Sequence, residues 1–146
     1  MNPPSPRVTL RLASRFLSSP PLGGFLTIEK LVGGLPVDSV CLWLQPSLFR
    51  VLGVLAAAMR DDVAAGEDLE VRGWRSYQQI IDAIDASDVT YIPVEPGAIR
   101  ASLGRIKRAV LAEASARGKA APEGFIPFER RPGRGVRLRS EFIEGL

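Results

Sequence analysis

The residues best suited to chemistry in this sequence are the basic side chains that follow Pro96. Four cations occur within nine residues, at spacings that distribute them around a helix: Arg100, Arg105, Lys107 and Arg108. Guanidinium and ammonium groups bind phosphates, and arginine also binds guanine edges through paired hydrogen bonds. This segment therefore predicts binding to nucleic acid.

An apolar stripe in the same segment predicts how these cations are positioned. Four residues recur at i, i+4, i+7 and i+11: Ile99, Leu103, Ile106 and Val110. This spacing lines one face of an α-helix, so we expect a helix over 96–111 that buries the stripe and turns the cations outward. Ala101 and Gly104 near the middle of the outward face would allow close approach to a DNA groove. An ordinary surface helix with solvated charges is the simpler alternative.

The net charge of +3 conceals a strong asymmetry along the chain. From Arg100 onward there are eleven Lys and Arg against five Glu, a balance of +6, whereas the preceding 99 residues carry −3. A basic segment beside a neutral to acidic body is typical of nucleic-acid binders, although an anionic protein or membrane surface would attract it as well.

Composition limits the remaining function classes. The sequence has no histidine, and Cys41 is its single cysteine. An intrachain disulfide is thereby excluded, as are a His/Cys zinc site and a histidine-based triad, and we expect neither enzyme activity nor a cofactor. Asp38, Arg50 and Arg60 interrupt the longest apolar runs, so no segment reaches the roughly 20 residues that span a bilayer. We expect a cytoplasmic protein without a membrane partner, and 146 residues suffice for one domain with a real core.

Periodicity and turn signals predict an N-terminal sheet followed by three helices and a hairpin. Strands are predicted over 7–12, 25–32 and 40–44, the first at a sheet edge, with a turn at Gly33-Gly34. Pro46 starts a first helix ending near 60–62, and a capping box of Ser76 and Gln79 starts a second over 77–84. A loop with a possible extended piece at 69–72 separates the two helices. The closing hairpin pairs 125–129 with 136–139, and Cys41, Trp43 and Trp74 are predicted to be buried.

Four stretches in this order match a pattern found in one family. They are 44–49 (LQPSLF), 76–81 (SYQQII), 99–108 (IRASLGRIKR) and 133–138 (GRGVRL). The sequence resembles the winged helix-turn-helix effector domain of OmpR/PhoB-type transcriptional regulators. Val136 stands where that family usually has an aromatic residue, and Pro96-Gly97 stands where it often has an Asp-Arg pair. The loop before the second helix is also longer than usual.

The resemblance implies an α+β winged helix-turn-helix fold with an N-terminal antiparallel sheet, three helices and a C-terminal β-hairpin wing. The implied domain is 25–140, between an N-terminal arm at 1–24 and a C-terminal tail at 141–146. No room remains for the receiver domain that precedes this module in the family, so we do not expect phosphorylation control within the chain.

The function implied is sequence-specific binding of double-stranded DNA by a transcriptional regulator that acts as a homodimer or beside partner proteins. The helix at 96–111 would enter the major groove and the wing at 130–139 would reach the minor groove. The connection between the second and third helices would face RNA polymerase or another regulator. The predicted DNA contacts are Arg100, Ser102, Arg105, Lys107, Arg108, Arg130, Arg131, Arg134 and Arg137. The alternative is a winged-helix adaptor that binds an acidic protein through the same basic face.

Overall fold

A computed structural model of the chain describes residues 8–16, 23–87, 96–139 and 142–144. Within these residues, three α-helices and two β-sheets make an α+β architecture. The elements in chain order are β1 (Val8–Phe16), β2 (Gly24–Val32), β3 (Leu35–Leu44), α1 (Pro46–Ala64), α2 (Tyr77–Ser87), α3 (Pro96–Ala116), a 3₁₀ turn (Pro122–Phe125), β4 (Phe128–Arg131), β5 (Gly135–Leu138) and β6 (Phe142–Glu144).

The N-terminal sheet has the strand order β3-β2-β1-β6 in the described part of the chain. β1, β2 and β3 are antiparallel, as the sequence predicts, and Gly33 and Gly34 form the β2–β3 turn at positive φ values of 59° and 81°. β1 lies between β2 and β6 rather than at an edge, and β6 pairs with β1 in parallel. The predicted arm at 1–24 contains β1 and the predicted tail at 141–146 contains β6, so each contributes a strand to this sheet.

The helices begin where their predicted start signals lie. Pro46 occupies the first turn of α1, and the capping box of Ser76 and Gln79 precedes α2. All three helices extend beyond their predicted C-terminal ends, and α3 continues to Ala116. The segment at 69–72 forms turns rather than the extended piece suggested by the sequence.

One hydrophobic core joins the sheet, the helices and the C-terminal hairpin. The predicted α3 stripe is confirmed, since Ile99, Leu103, Ile106 and Val110 are at most 1% exposed. The predicted burial of Trp74 is also confirmed, at 8% exposure. The same prediction for Trp43 is wrong: it lies on the edge strand β3, opposite Phe25, and is 49% exposed. Cys41 is half-buried, and its Sγ accepts a hydrogen bond from Thr27 Oγ1.

Polar contacts hold the segments around α3 in place. Beyond the end of that helix, the Lys119 ammonium pairs with the Asp38 carboxylate on β3. The Lys30 ammonium lies 4.2 Å from the centre of the buried Phe125 ring. α3 is thereby fixed against the sheet as well as the other helices. No helix in the described ranges has the length and apolar character needed to cross a membrane.

Candidate nucleic-acid interface

The outward face of α3 carries the cations predicted from the sequence. Since the opposite face is buried in the core, the side chains of Arg100, Arg105, Lys107 and Arg108 are left exposed. Ser102, also predicted as a DNA contact, is half-buried at the margin of this face. The helix therefore combines a fixed apolar side with an accessible basic side.

These four cations are not neutralised within the described part of the chain. None of them has an ion-pair partner there, whereas Arg75, Arg117 and Lys119 are paired with Asp62, Glu113 and Asp38. Cations without an ion-pair partner attract an external anion more strongly, and no carboxylate among the described residues pairs with these four.

The centre of the basic face is low in relief. Ala101 is exposed, and a Cβ atom added at Gly104 would meet nothing within 4 Å outside its own helical backbone. A flat centre bordered by long side chains allows the helix axis to come close to a partner while the arginines reach around it. That shape fits the floor of a DNA groove better than the pocket of a protein partner, which is usually filled by a large apolar anchor.

The second basic element is the hairpin of β4 and β5, called the wing below. Gly133 in its turn has φ of 78°, and Gly135 at the start of β5 has φ of 96°. A Cβ atom at Gly135 would lie 2.1 Å from the carbonyl oxygen of Arg75, so glycine is required there. The close approach allows Arg75 and Val136 to exchange two backbone hydrogen bonds of 3.0 Å. These bonds form an antiparallel β-bridge beside β5 of the wing.

Three predicted wing contacts are exposed: Arg130, Arg131 and Arg134. The Arg131 guanidinium lies 5.6 Å from the centre of the Trp74 ring, and Arg134 Nη1 donates a 3.1 Å hydrogen bond to the carbonyl oxygen of Glu70. Both wing arginines therefore contact the α1–α2 loop, defined here as residues 65–74. The Arg134 guanidinium makes no other hydrogen bond within the described residues.

Arg137, the fourth predicted wing contact, is not exposed as a DNA contact would require. Its side chain is buried, with the whole residue 6% exposed, and its Nε donates to Glu129 Oε1 at 2.6 Å. Its Nη1 donates to the carbonyl oxygens of Leu69 and Arg72, at 2.6 Å and 3.0 Å. The guanidinium is turned toward the α1–α2 loop and away from solvent, so it is not placed to contact DNA.

The loop–wing contact is the feature of the site that the sequence did not predict. The guanidinium groups of Arg131 and Arg137 lie 5.6 Å and 4.5 Å from the centre of the Trp74 ring, and Trp74 Nε1 donates to the Glu70 carbonyl oxygen. One signal was available: Glu129 and Arg137 face each other in the hairpin register.

The predicted contact to RNA polymerase involves the α2–α3 connection, and 88–95 lie outside the described residues.

No protein-family model, curated protein or solved structure matches the chain. In the described part of the chain, no group of three or more His, Cys, Asp or Glu side chains is arranged to hold a metal ion.

Proposed function

We propose that this chain is a winged helix-turn-helix protein that binds double-stranded DNA and regulates transcription. The observation that carries the proposal is the α3 face, where four exposed cations without ion-pair partners among the described residues surround a flat centre. In the proposed complex α3 lies in the major groove. Arg105 and Arg108 face base edges or phosphates, and Arg100, Ser102 and Lys107 contact the flanking backbone.

The wing supplies the second contact in this proposal. Arg130, Arg131 and Arg134 are exposed on the hairpin that follows α3, and they would bind minor-groove edges or phosphates. The layout is compatible with a winged helix, since the three helices described share one core with the hairpin and the Arg75–Val136 bridge extends the hairpin sheet.

A salt titration tests the proposal directly. Binding to a labelled random-sequence duplex would be measured by fluorescence anisotropy over a range of salt concentrations. Neutralisation of about four to six phosphates predicts a slope of log affinity against log salt of roughly −4 to −5, at about −0.9 per contact. Selection from a randomised duplex pool would then identify the preferred site. A slope near zero would overturn the proposal, and binding to an acidic protein would then favour the adaptor.

A matched pair of substitutions tests whether the flat centre of α3 faces the duplex. Ala101→Leu places a bulky side chain there, and Ala116→Leu places the same side chain at the exposed end of the helix. Ala and Leu have similar helix propensities, so both variants should keep the parent's stability. Only Ala101→Leu should weaken duplex binding, by about tenfold if one good base contact is lost. Equal affinities of the two variants would place the duplex elsewhere.

A further inference from the structure

Beyond the exposed cations, the buried guanidinium of Arg137 has a distinct place in the wing. We propose that Arg137 is a positioning residue that fixes the α1–α2 loop against the wing and thereby orients Arg134 toward the nucleic acid. This inference rests on the proposed DNA binding and adds a residue that would never touch DNA.

Arg137 forms a clamp between the strand β4 and the α1–α2 loop. Its Nε is held by the Glu129 carboxylate across the hairpin, and its Nη1 holds the carbonyl oxygens of Leu69 and Arg72. A planar guanidinium presents donors in fixed directions, so it can join the strand β4 to the loop at two separate points. Arg137 therefore ties the two elements together at a fixed separation.

The α1–α2 loop in turn contacts Arg134. The two carbonyls held by Arg137 flank Glu70 along the chain, and the Glu70 carbonyl accepts hydrogen bonds from Trp74 Nε1 at 2.9 Å and from Arg134 Nη1 at 3.1 Å. The Arg134 side chain is exposed, and the bond to the Glu70 carbonyl oxygen is the one hydrogen bond that its guanidinium makes within the described residues. Its direction therefore depends on where the loop places the Glu70 carbonyl, which in turn depends on Arg137.

The clamp requires an arginine at position 137 rather than a lysine. Lysine would keep the positive charge, but its single nitrogen cannot occupy both the Nε position beside Glu129 and the Nη1 position beside the loop carbonyls. A role that depends on charge alone would survive Arg137→Lys. A role that depends on the two-point clamp would not.

The decisive experiment is a double-mutant cycle with Arg137→Lys and Arg134→Ala, measured by anisotropy on the random-sequence duplex. Arg137→Lys should reduce the salt slope by about 0.9, the share of one phosphate contact. It should also lower affinity in the parent yet have little effect when Arg134→Ala is already present, because residues that act through one another are not additive. Circular dichroism at the assay temperature would establish that each variant is folded.

Two variants of Glu129 provide an independent route if Arg137→Lys does not fold. Glu129→Gln and Glu129→Ala remove the same charge, but only Gln retains an oxygen that can accept the hydrogen bond from Arg137 Nε. The proposal expects Glu129→Ala to bind the duplex more weakly than Glu129→Gln. That difference should disappear in the Arg134→Ala background.

The outcomes separate this inference from the proposed function. A parent protein without salt-dependent duplex binding overturns both. If the parent binds, but Arg137→Lys keeps the full slope or loses affinity by the same factor in both Arg134 backgrounds, the positioning role alone is overturned. Equal duplex affinities of Glu129→Ala and Glu129→Gln would likewise overturn the positioning role alone.

Discussion

Asp62 at the end of α1 and Arg75 before α2 form a bidentate ion pair across the α1–α2 loop. Arg75 Nη1 donates to Asp62 Oδ2 at 3.0 Å, and Nη2 donates to Oδ1 at 3.1 Å. The same carboxylate accepts a 2.7 Å hydrogen bond from the backbone N–H of Gly73. The loop that contacts the wing is therefore also anchored to the helical core.

This pair predicts a dependence of stability on pH. The hydrogen bonds from Arg75 lower the pKa of Asp62 below its ordinary value of 3.8, and the Gly73 N–H contributes further. Asp62 binds a proton less readily in the folded state than in the unfolded state. The stability that it contributes is therefore complete at pH values above its ordinary pKa and is lost as the pH falls through its lowered, folded-state pKa. Urea unfolding should show the parent losing stability over that acid range.

The variant Asp62→Asn isolates this contribution from that of Asp38, whose pKa is also lowered, mainly by its hydrogen bond from Lys119. At neutral pH, Asp62→Asn should cost about 1.5 to 3 kcal/mol, the range for hydrogen bonds to a charged group. The difference from the parent should shrink at acid pH. Asp61→Asn, which removes the neighbouring exposed carboxylate, is the matched control. A constant difference for Asp62→Asn would contradict the prediction.

The capping box at the N-terminus of α2 should stabilise the protein through two local hydrogen bonds. Gln79 N–H donates to Ser76 Oγ at 3.1 Å, and Ser76 N–H donates to Gln79 Oε1 at 2.8 Å. Ser76→Ala removes the cap acceptor and should cost about 1 kcal/mol, or a fall in melting temperature of roughly 2–4 °C. Ser115→Ala, at an exposed position within α3, should be neutral or slightly stabilising. Similar melting of the two serine variants would show that the cap contributes little.

Features set by neighbouring residues were the ones that the sequence predicted well. The capping box spans four residues, and the α3 stripe follows from helix periodicity, so both could be recognised without knowing the fold. The exposure of Trp43 depends on which face of the N-terminal sheet is covered: Val40 and Leu44 point into the core, whereas Trp43 and its cross-strand neighbour Phe25 lie on the opposite, exposed face.

The burial of Arg137 depended on more distant contacts. Its partners Leu69 and Arg72 lie 68 and 65 positions away in the sequence. An arginine in a glycine-rich hairpin has the same local pattern whether it faces solvent or a loop folded over it. Distinguishing the two required the path of the α1–α2 loop, which has no periodicity to predict it.

Two helical glycines allow stability and binding to be separated. Added Cβ atoms at Gly53 in α1 and Gly104 in α3 would meet nothing within 4 Å outside their own helical backbone. Replacing either by alanine should therefore raise the free energy of unfolding by about 0.5–1 kcal/mol, because glycine loses more backbone entropy on folding. Only Gly104→Ala should weaken duplex binding, since only that glycine lies on the α3 basic face. Equal affinities would argue against close approach there.

The buried stripe and the basic face of α3 should respond oppositely to substitution. Leu103 is fully buried, so Leu103→Ala should cost about 2 to 5 kcal/mol and lower the melting temperature markedly. Arg108 is exposed, so Arg108→Ala should leave the melting temperature nearly unchanged and impair duplex binding. If Leu103→Ala instead melted like the parent and bound DNA poorly, the stripe itself would be the contact surface. The adaptor hypothesis would then take the place of DNA binding.

Base reading and phosphate contact make different demands on the arginines of α3 and the wing. If Arg105 or Arg108 binds a base edge with two hydrogen bonds, its replacement by alanine should cost about 1 to 3 kcal/mol on the selected duplex. The preference at one base position should relax as well. If Arg134 contacts only phosphate, Arg134→Ala should weaken selected and random duplexes by the same factor and reduce the salt slope by about 0.9.

Anisotropy titrations of the parent and the three alanine variants against both duplexes would measure these differences. The ratio of the affinities for selected and random duplexes is the informative quantity, because it removes the shared electrostatic attraction to phosphate. The ratio should fall for a base-reading arginine and stay constant for Arg134→Ala. If it stayed constant for Arg105→Ala and Arg108→Ala too, these side chains would bind only phosphate. Sequence preference would then have to come from other residues or from the shape of the DNA.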